Sequence, residues 1–295
     1  MKKLILAAAL LAATGLASAQ TVVYGQINQY YDSTKTGTSR VNQMTSDLSR
    51  LGLKASENLG NGLSARAVIE TSVASQDPTG NADSQLGSRQ STVGLAHNLG
   101  SVDMGRQLHS TFLTISDFDA FGTLIGTVAQ DVHNYRALRL SNGTFVRVNP
   151  IAGLSATWEK SMNATADDSS SMSVGYNTDT FGVGAAQFSN STQKSTVLGA
   201  SVKLGGTKVL ASRSQDTDNG TTVVGKLIGV QQELGGPLSV RASYGTTDAD
   251  KKAYNVGLTY AMSKTVKLDG GYRVVDATGT SNDIKQLVAG VRYAF

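Results

Sequence analysis

Over most of its length this chain alternates apolar and polar residues with a period of two, and the alternation runs to its last residue. Phe295, Tyr293, Val291, Ala289 and Leu287 fall on one face of an extended strand, and Arg292, Gly290, Val288 and Gln286 fall on the other. Chain ends are ordinarily frayed and polar because nothing holds them down. An apolar face carried to the final residue therefore has to be paired and covered. The same pattern recurs upstream: Leu63, Ala65, Ala67 and Ile69 alternate with Ser64, Arg66, Val68 and Glu70, and Tyr254, Val256, Leu258 and Tyr260 alternate with Asn255, Gly257 and Thr259. Leu238 to Tyr244 and Val266 to Arg273 read the same way.

The other end of the chain suggests where such strands would go. Lys2 and Lys3, the apolar run from Leu4 to Ala13 and the small residues Ala17, Ser18 and Ala19 have the layout of a secretory signal peptide. Residues 1–19 are therefore expected to be removed, leaving residues 20–295 as one domain. No later run is apolar and long enough for a transmembrane helix, which needs about 20 residues. If the chain crosses a membrane, it does so as strands.

Composition excludes several classes. Without cysteine there are no disulfides, thiolate nucleophiles or Cys-ligated metals. Leaving out Lys2 and Lys3, 24 basic residues face 22 acidic ones, too even a balance to indicate nucleic-acid binding. His97, His109 and His133 have no metal-ligand spacing, so neither a metal site nor a cofactor is expected. The glycine-rich stretches lack the strand–loop–helix setting of a phosphate cradle, and no catalytic group stands out. An enzyme is not expected.

Sixteen strands are expected, at 21–31, 46–57, 62–74, 88–98, 101–108, 135–142, 144–159, 171–178, 180–189, 195–204, 207–215, 223–234, 238–247, 252–262, 265–275 and 284–295. Each is near the ten residues that a tilted transmembrane strand requires. Short turns, such as those at 58–62, 98–100 and 205–206, alternate with longer polar stretches at 32–45, 75–88, 163–171 and 246–251. That asymmetry fits an all-β, antiparallel, up-and-down transmembrane barrel. A soluble β-sandwich also alternates. Against it, Tyr176, Tyr244, Tyr254, Tyr260, Tyr272 and Trp158 lie mostly near strand ends on the apolar face, as in a bilayer girdle, and many apolar-face positions are too small for a core.

The run from Ser49 to Leu63 (SRLGLKASENLGNGL) resembles the second and third strands of the general diffusion porins of Gram-negative bacteria, especially the betaproteobacterial group. Val22 to Gly25, Arg89 to Leu95 with Gly105-Arg106-Gln107, Asn149 to Leu154 and Val291 to Phe295 match the same family. The resemblance implies an outer-membrane, sixteen-stranded barrel, usually a homotrimer, whose third loop folds into the pore as a constriction. It also implies passage of ions and small hydrophilic solutes. That loop would be His109 to His133, and it lacks the Pro-Glu-Phe pattern common at the tip in relatives.

Matching positions place Arg50 and Arg89 on a basic pore wall, completed by Arg136 or Arg139. Strand parity independently puts Arg50, Lys54 and Arg66 on the polar face, and sets Arg139 and Arg147 opposite Leu138, Leu140, Val146 and Val148. The acidic counter-wall would be Asp117, Asp119 and Asp131, with a solvated loop or a helix cap as the alternative for Asp117 and Asp119. The polar face is more basic than acidic, so a weak to moderate anion preference is expected. Arg106 shares parity with Val102 and Met104 and reads as a trimer-interface residue. Tyr293 and Phe295 belong to the strand that closes the barrel against Thr21 to Tyr31 and, by resemblance, to the signal read by the barrel-assembly machinery. Outer-membrane lipids would surround the whole. The rival reading is a plugged, non-conducting barrel acting as adhesin, phage receptor or structural anchor; sixteen strands, by geometry, leave an aqueous channel.

Overall fold

The alternation is realised as one closed antiparallel sheet. The computed structural model describes residues 20–73, 85–133, 138–162, 168–277 and 283–295; the leader reading for residues 1–19 and Arg136 lie outside them. The first strand, β1 (Gln20–Thr36), pairs with β2 (Ser39–Thr45) along its upper half and with β3 (Arg50–Gly60) along its lower half, so β2 and β3 together make one wall strand. The wall continues through β4 (Leu63–Ser72), β5 (Gln90–His97), β6 (Gly100–Leu108), β7 (Arg139–Ile151), β8 (Leu154–Ser161), β9 (Ser170–Asn177) and β10 (Phe181–Ser189). It is completed by β11 (Gln193–Leu204), β12 (Thr207–Asp218), β13 (Thr221–Glu233), β14 (Leu238–Thr247), β15 (Lys251–Ala261), β16 (Val266–Ala277) and β17 (Ile284–Ala294). Pairing of β17 with β1 joins the ends, giving sixteen wall strands and no open edge.

Closure is offset along β1. Its residues Gln20–Gln26 pair with β3 and its residues Gln26–Thr36 pair with β17, a stagger that tilts the strands. At the lower end Phe295 donates its backbone N–H to Gly25 O at 3.0 Å, and Gly25 N–H returns a bond to Phe295 O at 2.9 Å. Tyr293 sits one step above, opposite Ile27 on one side and Val266 on the other.

The outward face is an apolar belt. Leu51, Leu53, Val93, Leu95, Val102, Met104, Leu198, Val256, Leu258 and Val291 are all exposed, with Trp158, Phe181, Tyr244, Tyr260, Tyr293 and Phe295 among them. A water-soluble protein does not leave so continuous an apolar surface uncovered. A closed barrel with lipid outside has no conflict with it, and the two-sheet sandwich is excluded by the single closed sheet.

Three expected boundaries move, without altering the count of sixteen. Residues 32–45, expected as a long loop, form an upward extension of β1 and the strand β2, joined by a tight turn at Gly37. The turn expected near Gly143 is absent. There Asn142, at φ 51°, makes a bulge where the pairing of β6 with β7 shifts register, and the chain runs on to a turn at Ala152 and Gly153 (φ 82°). The bulge reverses the parity expected below it, so Leu140 is buried inside the barrel with Phe145 and Phe188. Residues 246–251 shrink to a three-residue connection because β14 and β15 extend into them.

Phe295→Asp is expected to lower the outer-membrane level several-fold, measured as the heat-modifiable folded band. Its effect on a barrel already folded should stay within about 1 kcal/mol, since acidic side chains near the bilayer interface cost little. Normal membrane levels of the variant would contradict a role for this residue in closure.

Candidate pore constriction

The segment after β6 turns inward and lies along the inside of the barrel. It begins with the helix α1 (Ser110–Asp117), whose first turn is anchored twice. His109 Nδ1 accepts from Phe112 N–H at 3.3 Å while its ring stacks on Phe188 with centroids 5.0 Å apart. The Glu159 carboxylate, projecting from β8, accepts Ser110 N–H at 2.9 and 3.0 Å. A carboxylate at this position satisfies an amide that the helix cannot and complements the helix dipole.

Beyond α1 the loop approaches the wall most closely at bare backbone. Six lumen-facing positions between β10 and β15 are glycine where a loop residue lies against the wall. A Cβ on Gly184 would come within 2.8 Å of the Phe118 ring, and one on Gly199 would penetrate the same ring. Gly229 faces Ala120, Gly257 faces Phe121, Gly245 faces Val128 and Val132, and a Cβ on Gly225 would strike the Val132 carbonyl. Around this trough Ile115, Val128, Ala129 and Val132 bury themselves against Val197, Leu227, Ala253 and Val275 of the strands. The short helix α2 (Ala129–Val132) ends the seated part.

Polar ties fix the loop at its edges. Asn255 donates from Nδ2 to Gly126 O at 2.6 Å, and Gln231 from Nε2 to Ala120 O at 2.6 Å. Asp47, in the break between β2 and β3, accepts Ile125 N–H at 2.8 Å. His133 is buried between Ser214 Oγ (2.8 Å) and Ser212 Oγ (3.0 Å) of β12; burial lowers its pKa to about 4.

The three loop carboxylates have different surroundings. Asp119 is buried and knots the loop tip: it accepts Phe121 N–H at 3.1 Å, Thr123 N–H at 2.8 Å and Thr127 Oγ at 2.6 Å. Its pKa is pushed up by burial against the pull of those bonds. Asp131 pairs with Arg273 of β16 at 2.9 Å; burial raises its pKa while the guanidinium opposes the shift. Only Asp117 turns its side chain to lumen water. The surrounding wall still desolvates it enough to raise its pKa, with Lys208 and Arg147 pulling the other way.

Across from the seated loop, β3 to β8 present the basic side chains. Arg89 Nε lies 2.7 Å from Glu70 Oε1 and Arg50 Nε lies 3.5 Å from Glu70 Oε2, so one carboxylate holds both arginines. Tyr24 donates to the same carboxylate at 3.0 Å. Arg139 Nε donates to Arg89 O at 2.8 Å, which joins three of the expected wall residues in one cluster. Arg66 is held apart from them by a bidentate pair with Asp103 and a bond to Ser101 Oγ. Lys54 lies over the Tyr24 ring at 5.5 Å. Arg66, Arg89, Arg139 and Arg147 border an open cavity of about 500 Å³, bounded on the loop side by Leu113. Among the described residues neither Lys54 nor Arg147 takes part in an ion pair.

Arg106 stands outside this arrangement. It alternates with the cavity-facing Asp103 and Gln107, donates to Ser88 O at 2.8 Å and bonds Ser141 Oγ. Sequence reasoning missed Asp47, Asp103 and the clasp of Glu159 on α1. Asp103 was recoverable from parity with Ser101, whereas Asp47 lies in a break that alternation does not mark.

A sixteen-stranded barrel with an apolar exterior, an inward-folded third loop and a charged aqueous cavity defines a porin. The family described as Gram-negative porin matches residues 6–280, and the chain belongs to that family. Outer membrane porin protein 32 of Delftia acidovorans is 30% identical over 312 residues, covering 92% of this chain and 88% of the relative. An outer membrane porin protein of Bordetella pertussis is 34% identical over 148 residues, covering 43% of this chain and 38% of the relative. The same fold occurs in the anion-selective porin from Comamonas acidovorans (TM-score 0.81, 23% identity, 94% of this chain and 100% of that one). It occurs also in the trimer form of Vibrio cholerae OmpT (TM-score 0.72, 13% identity, 94% and 100%). The protein is an outer-membrane channel and not an enzyme.

Two outcomes follow from the seating of the loop. Gly225→Val should dislodge the α2 end and change single-channel conductance in planar bilayers while the barrel still folds; an unchanged conductance would contradict the close approach. The His133 latch should be pH-dependent. A histidine whose pKa is depressed on burial contributes stability that is complete above about pH 6.5 and declines as pH falls toward 4. The shift amounts to roughly 3 kcal/mol. Current noise of the wild type should therefore approach that of His133→Gln between pH 6.5 and 4, and a constant difference would refute the latch.

Proposed function

We propose that the channel is a homotrimeric general diffusion porin that favours anions weakly to moderately while passing small hydrophilic solutes. The observation that carries this is the asymmetry of charge compensation. Asp119 and Asp131 are engaged within the loop or with Arg273, whereas Lys54 and Arg147 are exposed on the inner face with no ion-pair partner among the described residues. In a narrow passage with low-dielectric walls, such an excess sets the sign of the ion preferred. Arg50 and Arg89 share the single carboxylate of Glu70, and Arg139 joins them through the Arg89 carbonyl, so that cluster also has a positive balance. Arg66 contributes less because Asp103 neutralises it. Arg136 remains a candidate for the same wall, and Asp117 supplies the opposing charge across the passage. A solved relative is described as anion-selective and another as a trimer, which agrees with this reading.

The remaining assignments belong to biogenesis and assembly. Residues 1–19 direct export and are removed. Tyr293 and Phe295 present the last strand to the barrel-assembly machinery, lipids of the outer membrane cover the apolar belt, and Arg106 lies on the side where subunits meet.

The test is a reversal potential in a KCl gradient across a planar bilayer. The wild type should be anion-selective, and Lys54→Glu with Arg147→Glu should lower the chloride-to-potassium permeability ratio by roughly three- to tenfold, as expected for kT-scale changes of lumen potential. A cation-selective wild type would overturn the proposal.

A further inference from the structure

The outward rows of β11 to β14 contain no acidic residue, yet they contain Lys194, Arg213 and Lys226. Arg213 of β12 and Lys226 of β13 are direct cross-strand partners, both exposed, on the face turned away from the lumen. Like charges placed opposite each other destabilise a sheet unless something lies between them. Charge on a lipid-facing wall is costly at the bilayer centre and tolerated near its edge, so the pair marks where hydrocarbon gives way to head groups. The wall beside and below the pair agrees: Leu198 stands directly opposite Arg213 on β11, and Ile228 and Tyr244 follow one step down on β13 and β14, all exposed.

Several other outward bases are provided for within the protein. Arg106 bonds Ser88 and Ser141, Lys160 pairs with Asp168 at 3.2 Å, and Lys252 stands opposite Asp276 of β16. Lys35 and Lys285, also opposite each other, share an external cleft with Asp283. Arg213 and Lys226 have no such partner among the described residues, while Gln215 and Thr246 beside them add polar groups.

We propose that Arg213 and Lys226 bind the phosphate of an outer-leaflet lipid head group, whose acyl chains lie along Leu198, Ile228 and Tyr244. A guanidinium and an ammonium suit one phosphate: the first donates in a fork and the second adds a point charge. The apolar wall beneath distinguishes a lipid phosphate from a free one.

The test uses the full-length mature protein in dodecyl maltoside, titrated with diphosphoryl lipid A, with its dephosphorylated counterpart and with inorganic phosphate. Bound lipid is counted by native mass spectrometry. The wild type should retain the phosphorylated lipid, and R213Q/K226Q should weaken it roughly 30-fold, equivalent to about 1 kcal/mol per basic side chain at an anionic surface. R213K/K226R should retain most of the binding, and heat-modifiability and conductance should be unchanged in both variants, since neither residue faces the lumen. Equal binding of the dephosphorylated lipid, or equal affinity in the double Gln variant, would overturn the proposal. Displacement of the lipid by equimolar inorganic phosphate would overturn its lipid component. If R213Q/K226Q fails to fold, the single variants R213Q and K226Q carry the same comparison, each with a roughly fivefold loss expected.

Discussion

Every backbone amide and carbonyl that enters hydrocarbon must already be bonded, because lipid offers no replacement partner. In this chain that requirement is met by joining β17 to β1, and the other features follow from it. Closure forces a stagger, the stagger tilts the strands, and the tilt opens a lumen wide enough to receive the loop that follows β6. One rim carries seven short connections, from β3–β4 to β15–β16, whereas the other mixes tight turns at Gly37 and Gly220 with the longer connections. Chain length not spent on turns is available to the other rim and to the interior.

The interior is divided between two kinds of wall. From β9 round to β16 it is built to hold a segment of its own chain, with glycine where contact is closest and valine, leucine and alanine around it. From β3 to β8 it is built to stay wet, with arginines held in place by Glu70, Asp103 and a carbonyl. A bound guanidinium keeps both its direction and its charge, so the paired carboxylates act as struts as much as neutralisers. Lys54 is positioned differently, by the face of Tyr24.

Much of this was legible in the alternation. The period of two fixes which side chains see lipid, and it assigned Arg50, Lys54, Arg66 and Arg147 to the inner face from parity alone. It failed where parity breaks. The bulge at Asn142 inserts residues without any compositional signal, so Leu140 was expected opposite Arg139 and instead joins Phe145 and Phe188 inside. The break at residues 46–49 is likewise unmarked, since Ser49 completes it by bonding both backbone groups of Asn28 in another strand. Loop acids were harder still. Nothing local distinguishes Asp117, which meets water, from Asp119, which serves as the hydrogen-bond acceptor of its own turn; that difference arises only when Phe118 finds Gly184 and Gly199.

The glycine trough also affects what a permeating ion encounters. A loop seated on side chains inherits their rotamer populations, and its distance from the opposite wall fluctuates as they exchange. Here the closest contacts of the loop are with main chain, whose position is set by the hydrogen-bonded ladder on either side. The aperture is thus set on its far side chiefly by peptide geometry and buried packing, and the long charged side chains that line the open cavity belong to the arginine wall. Gauge and selectivity are in that sense assigned to separate halves of the same cylinder.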